Sequence, residues 1–306
     1  IISTQIFASI FDIDLSSSSY FKSNINYFAI IIGGALFGAG MMIADGCSSR
    51  SIVKFSQGDA NALVTLLFIA IFAFASTKGI LFGVVNGFIN NQFMIDISSN
   101  LSNFTLNIYF VLAILVLLLA YFVKKVKRVF SLYDGVIIGF LVGLSWFISG
   151  YIGAESIEKE IQVQALSYVF PSAKTLEFFT FFEITELSIG VCIVLGAIFG
   201  AYFSTFFNKK YSFGCTSKMN FNKLKYNMIG GSMMGIGGIM AIGCTVGQGL
   251  SGVSTLVFSS FLAIISIGVS GFITGKILYK KDKLPMCFLF EWEDDDKKQK
   301  PLDYEI

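Results

Sequence analysis

Histidine is missing from all 306 residues. Its absence removes imidazole general bases, histidine metal sites and bis-histidine haem, the commonest designs among membrane oxidoreductases and metallopeptidases. Charge is scarce too: 14% of residues are Asp, Glu, Lys or Arg, against roughly 25% in soluble domains. The five cysteines, Cys47, Cys192, Cys215, Cys244 and Cys287, contain no CxxC pair and no metal-like cluster, so neither a disulfide framework nor a zinc site is expected. No Walker motif is present, which argues against ATP-driven transport within this chain, and no stretch has the form of a cleaved signal peptide. No cofactor and no catalytic group is implied.

What remains is apolar. Hydrophobic residues make up 55% of the chain, 34 of them phenylalanine, and several runs reach the roughly 20 residues that cross a bilayer. The sequence reads as an all-α integral membrane protein of about seven to nine transmembrane helices, with the lipid bilayer rather than nucleic acid as its surroundings. Spans are expected at 27–45, 60–77, 104–123, 134–151, 186–207, 227–243 and 252–278, with a short helix near 80–90, and residues 155–174 are expected as a polar connection. Cationic loops at Lys124, Lys125, Lys127 and Arg128, and at Lys209, Lys210, Lys218, Lys223 and Lys225, place those ends and the C-terminus in the cytoplasm.

Laid on itself with an offset of 197 residues, the chain repeats: Gly33, Gly34, Gly38, Gly40, Ala44, Gly46 and Cys47 fall on Gly230, Gly231, Gly235, Gly237, Ala241, Gly243 and Cys244. Glycines four apart on an apolar helix let another backbone approach closely. The cationic loops favour copies that run in opposite directions, as in many transporters. The organisation expected is residues 1–26 as the remnant of a truncated N-terminal region that opens on Ile1, 27–123 as the first repeat, 124–185 as connecting helix and loops, 186–280 as the second repeat, and 281–306 as a cytoplasmic tail.

Each copy ends its glycine-rich helix at Gly-Cys and continues into polar residues, "GCSSRSIVKF" and "GCTVGQGLSGVS". A helix broken there frees backbone N–H and C=O groups, tolerable at membrane depth only where the break is buried in protein or lines a cavity. Two such breaks would form a central constriction. Arg50 and Lys54, four apart on one helical face, are candidate anion attractors or ordinary positive-inside charges. Cys47 and Cys244, recurring beside a glycine and a polar break, are candidate weak donors to a soft, sulfur-bearing ligand, with helix packing as the competing role. Thr245, Gln248 and Ser48 are candidates to replace part of an ion's hydration shell, and Gly46 and Gly243 to permit the breaks. Cys192, Cys215 and Cys287 read as packing or incidental residues.

On "GALFGAGMMIADGCSSRSIVKFSQGD", "GGSMMGIGGIMAIGCTVGQGLSGVSTL" and, between them, "DGVIIGFLVGLSWFISGYIG" and "LSYVFPSAKTLEFF", the chain resembles the YeeE/YedE family of bacterial sulfur-compound transporters. That resemblance implies an hourglass-shaped helical fold and import of a small sulfur-containing anion across the inner membrane, thiosulfate first, relayed past the Cys47 and Cys244 thiols by hydrogen bonding. It also implies a TusA-like cytosolic sulfur carrier as partner. The alternatives are a membrane thiol enzyme that passes sulfur to a carrier through a cysteine persulfide, a transporter of another sulfur or selenium compound, or a purely structural subunit.

Overall fold

The computed structural model describes residues 1–11, 13, 15–21, 26–89, 130–153, 163–181, 188–207 and 221–281, and every regular element among them is helical. In chain order these are α1 (Ile2–Phe11), two single 3-10 turns, α2 (Tyr27–Ile43), α3 (Ser48–Ser56), α4 (Ala60–Thr77), α5 (Phe82–Ile89) and α6 (Phe130–Phe147), which runs on as a π-helical turn over Ile148–Ile152. There follow α7 (Val169–Phe181), α8 (Ile189–Phe207), α9 (Phe221–Met240), a π-helical segment at Gly247–Gly252 and α10 (Phe258–Lys280). The expected span at 104–123, the cationic loops at 124–128 and 209–218, Cys215, Cys287 and the tail beyond Lys281 lie outside the described residues.

Five helical stretches among the described residues have the length and apolarity to cross a membrane: Tyr27–Ser56, Ala60–Thr77, Gly135–Ile152, Ile189–Phe207 and Phe258–Lys280. The protein is a multi-pass membrane protein. Large apolar side chains such as Phe140, Phe199, Phe203, Val269 and Phe272 point outward, where a hydrocarbon solvent accepts them. Polar residues inside the spans are quenched locally: the Thr65, Thr205 and Ser232 hydroxyls each donate to the carbonyl four residues back.

Two expectations shift. The seventh span starts at Phe258 rather than 252, because a turn with Leu256 at φ +61° separates it from the segment before. The connection expected up to Lys174 ends earlier, since α7 begins at Val169 with Pro171 in its first turn, where a missing N–H costs nothing. The short helix expected near 80–90 is α5, described over Phe82–Ile89.

The core is built by glycine. α2 and α9 cross in opposite directions with reciprocal contacts: a Cβ on Gly33 would lie 2.8 Å from the Gly237 oxygen, and one on Gly40 would lie 2.7 Å from the Gly230 oxygen. Shifted by 197, each pair is the other. The next layer obeys the same exchange. Gly231 and Gly235 of α9 lie on the Thr65 and Ile69 carbonyls of α4, while Gly34 and Gly38 of α2 lie on the Ala263 and Ile267 carbonyls of α10. Each glycine helix therefore packs on the long helix that follows the other glycine helix. The seam is fastened by Ser266 Oγ donating to Ile31 O at 2.6 Å, and by Asn227 Nδ2 donating to Asn61 O at 3.3 Å. At the N-terminus, α1 packs on α6 with Thr4 fully buried, and the Gln5 amide donates 3.0 Å to Ser254 O, so the first residues are part of the same body.

Candidate functional site

α2 and α9 stop in the same way. Ala44 N–H donates to Gly40 O (2.9 Å) and Gly46 N–H to Met41 O (3.0 Å); Ala241 N–H donates to Gly237 O (2.8 Å) and Gly243 N–H to Gly238 O (2.8 Å). These are helix-terminating bonds that need a left-handed residue. Asp45 (φ +61°) and Gly46 (φ +148°) supply it in the first break, and Ile242 (φ +57°) and Gly243 (φ +159°) in the second. Aspartate tolerates that region, whereas a β-branched isoleucine there stores about 1–3 kcal/mol of strain. Both chains then restart as short helices, with Ser51 N–H on Cys47 O and Gln248 N–H on Cys244 O.

Each cysteine thus sits immediately before the first residue of a restarted helix, Cys47 as the N-cap of α3, at the positive end of the helix dipole. Cys47 is partly buried, its Sγ 3.1 Å from Ser49 Oγ; Cys244 is 0% exposed, its Sγ accepting the Gly247 N–H at 3.2 Å. Both pack on one apolar cluster of Phe37, Ile69, Val169, Met234 and Ile267, to which Tyr168 also belongs. Ser48 and Thr245, the residues after the cysteines and equivalent at the same offset, each bury a hydroxyl oxygen that has no hydrogen-bond partner in the protein.

The remaining expected residues divide. Arg50 is partly buried and lays its aliphatic stem across Gly46, where a Cβ would lie 2.9 Å from Arg50 Cδ. Lys54 does not face the break as a bare cation: its Nζ donates 2.8 Å to Asp45 Oδ2 and 2.9 Å to Asp45 O, tying α3 back to the strained residue. Gln248 does the same work in the second copy. Its Nε2 donates to Ala241 O at 2.5 Å, and since a carbonyl only accepts, the free end of the amide is the acceptor Oε1, the wrong polarity for an anion. Cys192, expected as a packing residue, lies exposed on α8, outside this site.

Asp45 and Tyr168 were missed. The signal for Asp45 was an acid at the end of an apolar helix nine residues before a lysine; for Tyr168 there was none, because its place depends on α7. The Asp45–Lys54 pair makes a measurable prediction. Lys54→Met should lower stability by about 1–3 kcal/mol, since it strips a charge-assisted bond from a partly buried carboxylate. The double change with Asp45→Asn, which keeps a residue tolerant of positive φ, should recover part of that loss in detergent unfolding curves.

The family model described as "Sulphur transport" matches residues 1–273. The chain belongs to the sulphur transport family. Similar proteins include the thiosulfate transporter TsuA of Escherichia coli (strain K12), 20% identical over 77% of this chain and 70% of that protein. Another is the thiosulfate transporter TsuA of Spirochaeta thermophila, 26% identical over 84% of this chain and 79% of that protein. The family is described as sulphur transport, so the chain is a transporter of sulfur compounds rather than the enzyme of the alternative reading.

Proposed function

We propose that the chain imports thiosulfate across the bacterial inner membrane, passing it from one helix break to the other along the Cys47 and Cys244 thiols. The observation that carries this is the pair of matched breaks, each presenting a thiol followed by a buried hydroxyl without a protein partner. The names borne by the two relatives point to thiosulfate as cargo.

An anion entering a low-dielectric core must exchange water for fixed donors. Ser48 and Thr245 are donors one residue beyond each sulfur, and each lies at the positive start of a restarted helix. Thiols bind a soft terminal sulfur weakly, which suits a path that must also release its cargo. Arg50 raises the local anion concentration at the first break, while Lys54 acts through Asp45 as a brace. The two breaks sit at opposite ends of the α2–α9 contact: Ala44 meets Gly230 and Ala241 meets Gly33, and Gly33 and Ala44 are separated by about 16 Å of helix rise. An inverted pair of repeats gives that layout, with the C-terminus in the cytoplasm, where a TusA-like carrier would receive the sulfur.

The test uses purified full-length chain in proteoliposomes. Uptake of 35S-labelled thiosulfate should exceed that of empty vesicles by at least about 10-fold, the step that 1.4 kcal/mol of path stabilisation gives, with competition by unlabelled thiosulfate and none by sulfate. Uptake no faster than in empty vesicles would sink the proposal.

A further inference from the structure

The two breaks match residue for residue, but the segments after them do not. From Cys47 to the positive-φ turn at Gly58 the chain takes 11 steps, and from Cys244 to the corresponding turn at Leu256 it takes 12. The extra residue is absorbed by the π-helical segment Gly247–Gly252, where α3 is plain α-helix. A one-residue π-bulge widens the helix and is commonly kept for function. Here it is heavily supported: Tyr20 Oη donates to Gly247 O at 3.0 Å, Ser251 Oγ to Leu166 O at 2.7 Å, and Trp146 Nε1 to Ser254 Oγ at 3.1 Å.

Inside the bulge two oxygens converge. A Cβ built on Gly252 would lie 2.8 Å from Gln248 Oε1 and closer still to Ser260 Oγ, so the two oxygens are within twice that distance of each other. Gln248 is 1% exposed and Ser260 is 0% exposed, and neither oxygen has a hydrogen-bond partner in the protein. The amide cannot turn its nitrogen inward without setting Oε1 against the Ala241 carbonyl. At the equivalent positions the first copy has Ser51 and Ala62, so the pair of oxygens belongs to the second copy alone.

An acceptor-only amide oxygen repels an anion and attracts a cation, and the hydroxyl beside it can turn its lone pairs to the same ion. The geometry points to a monovalent cation site, sodium in the first place, held by Gln248 Oε1 and Ser260 Oγ at the π-bulge, where the missing side chain of Gly252 lets both oxygens close in on the backbone. Calcium, whose radius is close to that of sodium, takes oxygen ligands at about 2.3–2.6 Å, a span that two oxygens so placed can share. Both ligands are neutral, which favours a single charge over a divalent ion, whose sites usually include carboxylates. Coupling gives the site a purpose that rests on the transport reading above, although the binding itself does not. Each negative charge moved inward opposes a membrane potential of 100 mV by about 50-fold in the attainable gradient. A cation carried along offsets that directly.

Two measurements test the site. Thermal unfolding of the detergent-purified full-length chain should shift upward by several degrees in NaCl relative to choline chloride at equal ionic strength, with KCl and LiCl as size controls. The shift should vanish in Ser260→Ala, which removes one oxygen, and in Gly252→Ala, whose methyl would push both oxygens aside. In proteoliposomes, thiosulfate uptake by the unaltered chain should run about 10-fold faster with sodium outside than with choline outside, and that ratio should fall to about one in Ser260→Ala. Equal unfolding temperatures for the unaltered chain in all four salts would overturn the cation site, whatever the uptake. A sodium shift without thiosulfate uptake would leave the site standing and remove the transport reading.

Discussion

Thiosulfate uptake should fall about 10- to 100-fold when Cys47 or Cys244 is replaced by alanine, the cost of losing a hydrogen bond to a charged ligand. The two variants should differ in a second measurement. Cys244 Sγ also accepts the Gly247 N–H at 3.2 Å, so Cys244→Ala should lower stability by about 1 kcal/mol as well, as the loss of a helix cap does. Cys47 makes its contact with the Ser49 hydroxyl at the partly open side of the cluster, and its alanine variant should keep the unaltered unfolding temperature. Serine keeps a donor and an acceptor at both positions, so Cys244→Ser should restore stability while uptake recovers only in part. Cys192→Ala, on the exposed face of α8, is the control and should transport at the normal rate. If both break variants transported normally, the thiol relay would be wrong.

Valine at Gly237 or Gly40 should abolish the folded protein. A Cβ at Gly237 would lie 2.6 Å from Gly33 O and 2.7 Å from Phe37 N, and one at Gly40 would lie 2.7 Å from Gly230 O. All of these are backbone atoms and cannot swing aside, so α2 and α9 must separate along the whole seam. Overpacking of that kind costs about 3 kcal/mol or more, and in a membrane the loss falls on van der Waals contact, the main force that joins the helices. Monodisperse protein recovered by size exclusion in detergent should drop to a small fraction of the normal yield. Gly196→Val and Gly200→Val on α8, where a Cβ meets nothing within 4 Å, should leave the yield unchanged. Normal yield from the Gly237 variant would mean that the α2–α9 crossing is not what holds the fold together.

The glycine repeat was legible because backbone contact admits a single residue type, so the fold is written in the one residue that can satisfy it. The helix stops were legible for the same reason: Gly46 and Gly243 have φ +148° and +159°, which other residues rarely adopt. The roles of the polar residues were not legible. Lys54 and Gln248 have the same sequence signature as groups facing a ligand, yet one is spent on Asp45 and the other on Ala241 O. Which end of an amide is left over depends on a carbonyl seven residues away, and spacing alone carries no record of it.

Composition alone determined that this chain lives in lipid, because a chain so apolar has no other solvent, and the absence of histidine narrowed its chemistry before any coordinate was known. The offset of 197 determined where the helices break. Only the tertiary structure decided that α2 and α9 cross in opposite directions, that Tyr168, just before α7, packs on the same apolar cluster as the two cysteines, and that one added residue turns the second copy's short helix into a π-bulge. These are relations between segments far apart in the chain, fixed by which surfaces fill each other's space, and a linear pattern of residue types does not contain them.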